Sequence, residues 1–180
     1  VTFGPDGLAM MANGRSARET LDALLADDDD RELRQVGLVD ARGETAAFTG
    51  AQCMDWAGHK SGRFFTCQGN ILTGEETLEA MATAFTSSEG TLADRLVAAL
   101  LAGDNAGGDS RGKQAAGLLV VKPNAGYGGD NDRYCDLRVD DDPNPVRKLR
   151  QLLSMHHLFF GPTTPGDRIP IDDEIAVELQ

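Results

Sequence analysis

Paired cysteines, basic charge and long apolar runs are all scarce in this sequence, and each scarcity removes a class of protein. Cysteine occurs three times in 180 residues, at Cys53, Cys67 and Cys135, with no CxxC spacing. An odd and sparse set is no disulfide scaffold, and it points to a reducing, cytoplasmic location. Lys and Arg total 17 against 29 Asp and Glu, for a net charge of -12. A surface this acidic repels nucleic acid and anionic membrane, so neither is an expected partner. No apolar run approaches the roughly 20 residues needed to span a bilayer, and no signal-peptide pattern opens the sequence. There is no GxSxG nucleophile elbow. Cys53, His59 and Cys67 match no zinc spacing. The acidic groups at Asp130, Asp132 and Asp140 to Asp142 lack the spaced glycine and terminal Glu of a calcium loop. No metal and no cofactor is therefore expected.

What remains is an ordinary globular composition, 41% hydrophobic, enough for one domain with a core. Val1 is not a usual translational start, and the closing IAVELQ reads as the first turns of an interrupted helix. A longer parent chain is expected. A short helical turn is predicted around Leu8, Met10 and Met11. Ser16 and Glu19 form a capping box that opens a firmer helix with Ala17, Leu21, Leu24 and Leu25 as its apolar stripe. RQVGLVD and TAAFTG flank the turn Ala41 to Glu44 and predict a β-hairpin. Residues 50 to 62 read as a loop carrying Trp56 and His59, and FFTCQ as a third strand that ends in Gly69-Asn70.

Two capping boxes then predict two helices: Thr73 with Glu76, running to about Ser87, and Thr91 with Asp94, stopping at Gly103. AAGLLVV is a near-continuous apolar run, expected to be a strand buried on both faces. RYCDLRVD alternates as a strand, and Pro145 is a good first residue for a helix through about Leu158. His156 and His157 lie near its C-terminus, where protonated His favours the helix dipole. Strands and helices come in groups, which predicts an α+β fold with layers of antiparallel sheet and helix.

The stretch GGDSRGKQ, residues 107 to 114, resembles a phosphate-binding P-loop up to Lys113. Its context is reversed, since a helix precedes it and a strand follows, and Gln114 stands where a magnesium-binding Ser or Thr belongs. Nucleotide binding is not expected. The polar residues are suited to other recognition. Arg111 would hold a carboxylate through two parallel hydrogen bonds, Asp109 would orient it or take a proton, and Gln114 would meet a carbonyl. The alternative is an Asp109–Arg111 pair that only pins the loop. Gln68 and Asn70, at a strand end, are candidates to line a pocket. His59 beside Trp56 is a candidate binding residue because His titrates near neutrality.

Three stretches in order, CMDWAGHKSGRFFTCQGNIL, AGGDSRGKQAAGLLVV and GYGGDNDRYCDLRVDD, resemble a bacterial family of unknown function, the one numbered 1028. The resemblance runs from about Gly4 to Leu158. It implies a fold similar to the N-terminal nucleophile (Ntn) hydrolases, a four-layer αββα sandwich of mostly antiparallel sheets. It also implies N-terminal strands that precede this sequence. Residues 1–158 would then form the domain, and 159–180 an extended tail or linker. Hydrolases of that fold cleave amides with an N-terminal Thr, Ser or Cys. The expected function is therefore an amidohydrolase acting on a small polar amide, with Asp109 and Arg111 as catalytic candidates and Gln68, Asn70, Gln114, His59 and Trp56 as substrate-binding ones. The alternative is a non-catalytic binding or scaffold domain. A homo-oligomer is expected from the sheet edges such a sandwich exposes.

Overall fold

The computed structural model describes residues 2–161 and Gly166. The elements are α1 (Phe3–Ala12), α2 (Ala17–Ala26), β1 (Gln35–Val39), β2 (Thr45–Thr49), β3 (Gly58–Gly62), β4 (Phe65–Gly69), α3 (Glu75–Ser87), α4 (Leu92–Asn105), β5 (Ala116–Val121), β6 (Arg133–Val139) and α5 (Pro145–Phe160). The fold is α+β. Its strands form three two-stranded antiparallel sheets, β1–β2, β3–β4 and β5–β6. The expected tail lies almost entirely outside the described residues.

Two apolar clusters hold the fold together. Leu118, Val120, Cys135, Val139, Val97, Leu149 and Leu153 join β5, β6, α4 and α5. Ala17, Leu21, Leu24, Leu38 and Ala46 join α2 to the β1–β2 hairpin. Asp40 reinforces the second cluster from the hairpin turn. Its nearly buried carboxylate accepts the backbone N–H of Ala17 at 3.1 Å, Arg42 at 2.9 Å and Glu44 at 3.1 Å. Burial pushes this carboxyl up, but the three N–H donors prevail and it lies below the ordinary aspartate range.

Local signals place most elements. The capping boxes of Ser16 with Glu19 and Thr91 with Asp94 are both formed. The β1–β2 register pairs Val39 with Thr45 across the expected turn. Five details differ from the sequence reading. The turn expected near Leu8 is a ten-residue helix. Residues 58 to 62, expected as loop, form β3, because pairing with β4 imposes an extended backbone on a segment with no apolar alternation of its own.

The capping box expected at Thr73 is absent. The helix begins one residue later, with Gly74 as its cap, because the Thr73 N–H donates instead to the carbonyl of Gly108 at 2.9 Å. Helix α4 continues past Gly103 to Asn105. Gly103 serves close packing rather than termination, since a Cβ there would press on the Met81 side chain of α3 at 2.7 Å. The strand β5, expected to be buried on both faces, is buried on one: Leu118 and Val120 face the core, while Leu119 and Val121 are 57% and 64% exposed. Helices α4 and α5 cover only the first of these faces.

Helix α5 is anchored near its end by His157, whose Nε2 lies 2.9 Å from Asp94 Oδ1 in the first turn of α4. Burial pushes the Asp94 carboxyl up, but hydrogen bonds from Thr91 and His157 outweigh it and the net shift is downward. A carboxyl lowered in the folded state stabilises fully above its ordinary value near 3.8. That contribution is lost as pH falls through the folded value. Asp94→Asn is therefore expected to flatten the acid limb of the stability curve, measured by urea unfolding between about pH 2 and 5.

Candidate functional site

The loop after α4 is built on glycine. Gly107 has φ of 125°, and a Cβ there would collide with the Thr73 hydroxyl. That close approach lets the loop dock on the segment before α3. Thr73 N–H donates to Gly108 O at 2.9 Å, Ser110 N–H donates to Ile71 O at 2.8 Å, and Leu72 pairs with Asp109. The same segment bonds on its other side, with Ile71 N–H to Met54 O at 3.0 Å and Leu72 N–H to Trp56 O at 3.0 Å. Three chain segments around residues 54–56, 71–73 and 108–110 are thus laced into a small ladder.

Beneath the loop lies a cavity of about 790 Å³, walled by Met81, Leu100, Val146 and the loop itself. Asp109 and Arg111 meet on its rim in a forked pair, Nε to Oδ1 at 3.0 Å and Nη2 to Oδ2 at 2.6 Å. The Arg111 side chain and backbone N–H together hold the Asp109 carboxyl down at about 2. A carboxylate so weakly basic is ionised at neutral pH, and both its oxygens face the Arg111 side chain. The fork occupies Nε and one Nη2 hydrogen. Among the described residues nothing binds Nη1, and the Arg111 side chain is 69% exposed.

Lys113 donates to both carboxylate oxygens of Asp104 at 2.9 Å, and Asp104 is largely buried in the cavity wall. Gln114 Nε2 lies 3.3 Å from Asp141 Oδ1, and Gln114 O accepts the Asp142 N–H at 3.0 Å. Two cations and two carboxylates therefore share the rim, paired one to one. The order of helix, loop and strand is as expected from the sequence, and it is the reverse of a P-loop.

The other expected site residues lie elsewhere. Gln68 Oε1 accepts the Thr66 hydroxyl at 2.6 Å and edges a second cavity of about 530 Å³, lined mainly by Phe65, Phe85, Leu96 and Leu119. Asn70 is exposed on the bend after β4. Trp56 and His59 border a third cavity of about 400 Å³. There the Nδ1 of His59 lies 2.9 Å from the Thr49 hydroxyl. The ladder brings Trp56 near the loop in chain connectivity, yet its indole faces the third cavity. The fold thus gathers Asp109, Arg111 and Gln114 at one place and separates Gln68, Asn70, His59 and Trp56 from them.

Four contributors were not singled out from sequence: Asp104, its partner Lys113, Thr49 and Gln35. Gln35 Nε2 reaches Thr49 Oγ1 at 3.1 Å, Gly58 O at 3.1 Å and Gly69 O at 2.9 Å, so one amide on β1 links it to β2, β3 and β4. The only sequence signal for it is a polar residue opening an apolar strand. Among the described residues no group of three or more His, Cys, Asp or Glu is placed to hold a metal. Cys53 donates to Arg34 O at 3.4 Å and Cys67 to Leu78 O at 3.9 Å, away from His59. No described helix is long and apolar enough to cross a membrane.

These features define an α+β domain with a glycine loop closing a polar-rimmed cavity. Residues 1–149 match the family of unknown function DUF1028, and the chain belongs to that family. A crystal structure of a Silicibacter pomeroyi protein of the same family is similar, with a TM-score of 0.75 and 29% sequence identity. The match covers 94% of this chain and 72% of that one. No curated protein matches the sequence.

Proposed function

We propose that this chain binds a small polar molecule in the cavity under the 107–115 loop, and that an amide bearing a carboxylate is the ligand that fits it. One observation carries this reading: Arg111 is paired by a two-point fork with Asp109 on the rim, while among the described residues nothing binds its Nη1. A pre-oriented guanidinium edge receives a carboxylate in the plane of the fork at little entropic cost. Gln114, exposed beside it, would serve the amide. Paired charges elsewhere on the rim disfavour a multiply charged ligand.

In the catalytic form of this reading the chain is part of an Ntn-hydrolase-like amidohydrolase, its helices and small antiparallel sheets belonging to a four-layer αββα frame. Asp109 and Arg111 would then orient the substrate, with the nucleophile supplied from elsewhere. The binding-only form is favoured by the cavity itself: its hydroxyl, Thr77, is bonded to Thr73 at 3.3 Å rather than to a base. The Ntn-like fold that the resemblance to the family implies would support the first form.

The test is a thermal-shift titration with glutamine, asparagine and N-acetylglycine, followed by mass spectrometry for amide cleavage. A rise in Tm with one of them is expected. Arg111→Ala is expected to weaken that ligand about ten- to a hundredfold, the equivalent of losing a charge-assisted hydrogen bond worth about 1.5–3 kcal/mol. Equal shifts for wild type and variant would remove Arg111 from the site. Binding without cleavage would select the non-catalytic form.

A further inference from the structure

We propose that Thr49 and His59 form a separate nucleophilic site, a hydroxyl and its base that accept the acyl group of a small uncharged ester. Thr49 Oγ1 has two side-chain neighbours at hydrogen-bond distance, His59 Nδ1 at 2.9 Å and Gln35 Nε2 at 3.1 Å. The orientation of the Gln35 amide is settled by its other partners. It lies 3.1 Å from Gly58 O and 2.9 Å from Gly69 O, both of which only accept, so the group facing them is the NH2. That NH2 offers no lone pair to Thr49. The side-chain acceptor left within reach of the threonine hydrogen is Nδ1 of His59 in the tautomer protonated at Nε2, the relation an activated hydroxyl nucleophile requires.

The surroundings select the acyl donor. The pair opens on the cavity of about 400 Å³, with Trp56 as its aromatic side. Lys60, on the same rim, is paired with Glu79 and with Glu75 at 3.5 Å, so among the described residues lining this cavity no unpaired Lys or Arg demands an anionic substrate. Cys53, the other nucleophile at this cavity, bonds to a backbone carbonyl and not to the imidazole. Among the described residues no carboxylate bonds to His59, so the base lacks the third group that supports attack on unactivated amides. Esters, with a leaving group that departs more readily, are the matching class.

The step balances as an ordinary acyl transfer. Thr49 Oγ1 bonds to the ester carbonyl carbon while its proton passes to His59 Nδ1. The tetrahedral intermediate expels the alcohol, which takes that proton. Water then attacks acyl-Thr49, giving its proton to Nδ1, and the acid departs as Thr49 regains a proton. This site does not involve the loop cavity, and its test needs no ligand there, so the two proposals fail independently.

The experiment uses p-nitrophenyl acetate on the whole chain, following nitrophenolate release and mapping acetyl groups by peptide mass spectrometry. The expected result is an acetyl on Thr49, retained in Thr49→Ser and absent in Thr49→Val. His59→Gln is expected to slow its formation about a hundredfold, the scale of general-base assistance. The wild-type map decides the matter even if a variant unfolds: acetyl on lysines alone, with Thr49 unmodified, overturns the proposal. So does acetylation of Thr49 at the same rate in a folded His59→Gln protein.

Discussion

Replacing Gln35 by leucine is expected to lower stability by about 2–4 kcal/mol, because partly buried carbonyls that lose their donor retain the desolvation penalty of about 1–3 kcal/mol each. The Gln35 amide serves Gly58 O and Gly69 O, at the paired ends of β3 and β4, from its position on β1. Leucine fills a similar volume, so the loss is one of hydrogen bonds and not of packing. Packing between the hairpins is close here, since a Cβ on Gly37 would overlap the side chains of Gln68 and Thr66. Glutamate is expected to be worse than leucine, as a carboxylate would face two carbonyl oxygens. Urea unfolding with an unchanged m-value and a lower midpoint would show it. A Gln35→Leu protein as stable as wild type would mean that water replaces the amide. The same substitution releases Thr49 from its second partner, so the Thr49–His59 pair should lose its fixed geometry even where the chain stays folded.

The second large effect is expected at Leu149, which is fully buried at the junction of α4, α5, β5 and β6. Leu149→Ala removes its contacts and leaves a void, at a cost of about 2–5 kcal/mol. For a marginally stable domain, with a total of about 5–15 kcal/mol, that is a large share. The matched control is Leu119→Ser on the uncovered face of β5, where an exposed apolar side chain contributes within about 0.5 kcal/mol. Equal losses at both positions, measured by denaturant unfolding, would show that the outer face of β5 is covered in solution. That would revive the both-face burial that the apolar run AAGLLVV predicts.

The contrast between Leu118 and Leu119 marks where sequence reading stops. A run of apolar residues states that a strand is hydrophobic, but not which neighbours it finds. Helices α4 and α5 reach one face of β5. Thr73 teaches the same point about a cap. The residues of a capping box stand at Thr73 and Glu76, yet the Thr73 N–H is drawn to Gly108 O, a partner distant along the chain. The boxes at Ser16 and Thr91 form because no such competitor reaches them. The segment from Gly58 to Gly62 has no strand pattern, and only its pairing with β4 makes it one.

By itself, the sequence determined what local chemistry determines: the capped starts of α2 and α4, the β1–β2 turn, the alternation of β6, the α+β class, and a glycine loop set between a helix and a following strand. It also carried the family membership, through three long motifs in order. Tertiary structure decided what the polar residues face. It paired Asp109 with Arg111 on one rim, gave Lys113 a largely buried partner in Asp104, and set Thr49 against His59 in a different cavity. The physical reason is range. A cap or a turn is settled by residues within one helical turn of each other, whereas a cavity is enclosed by segments brought together only when the whole chain folds.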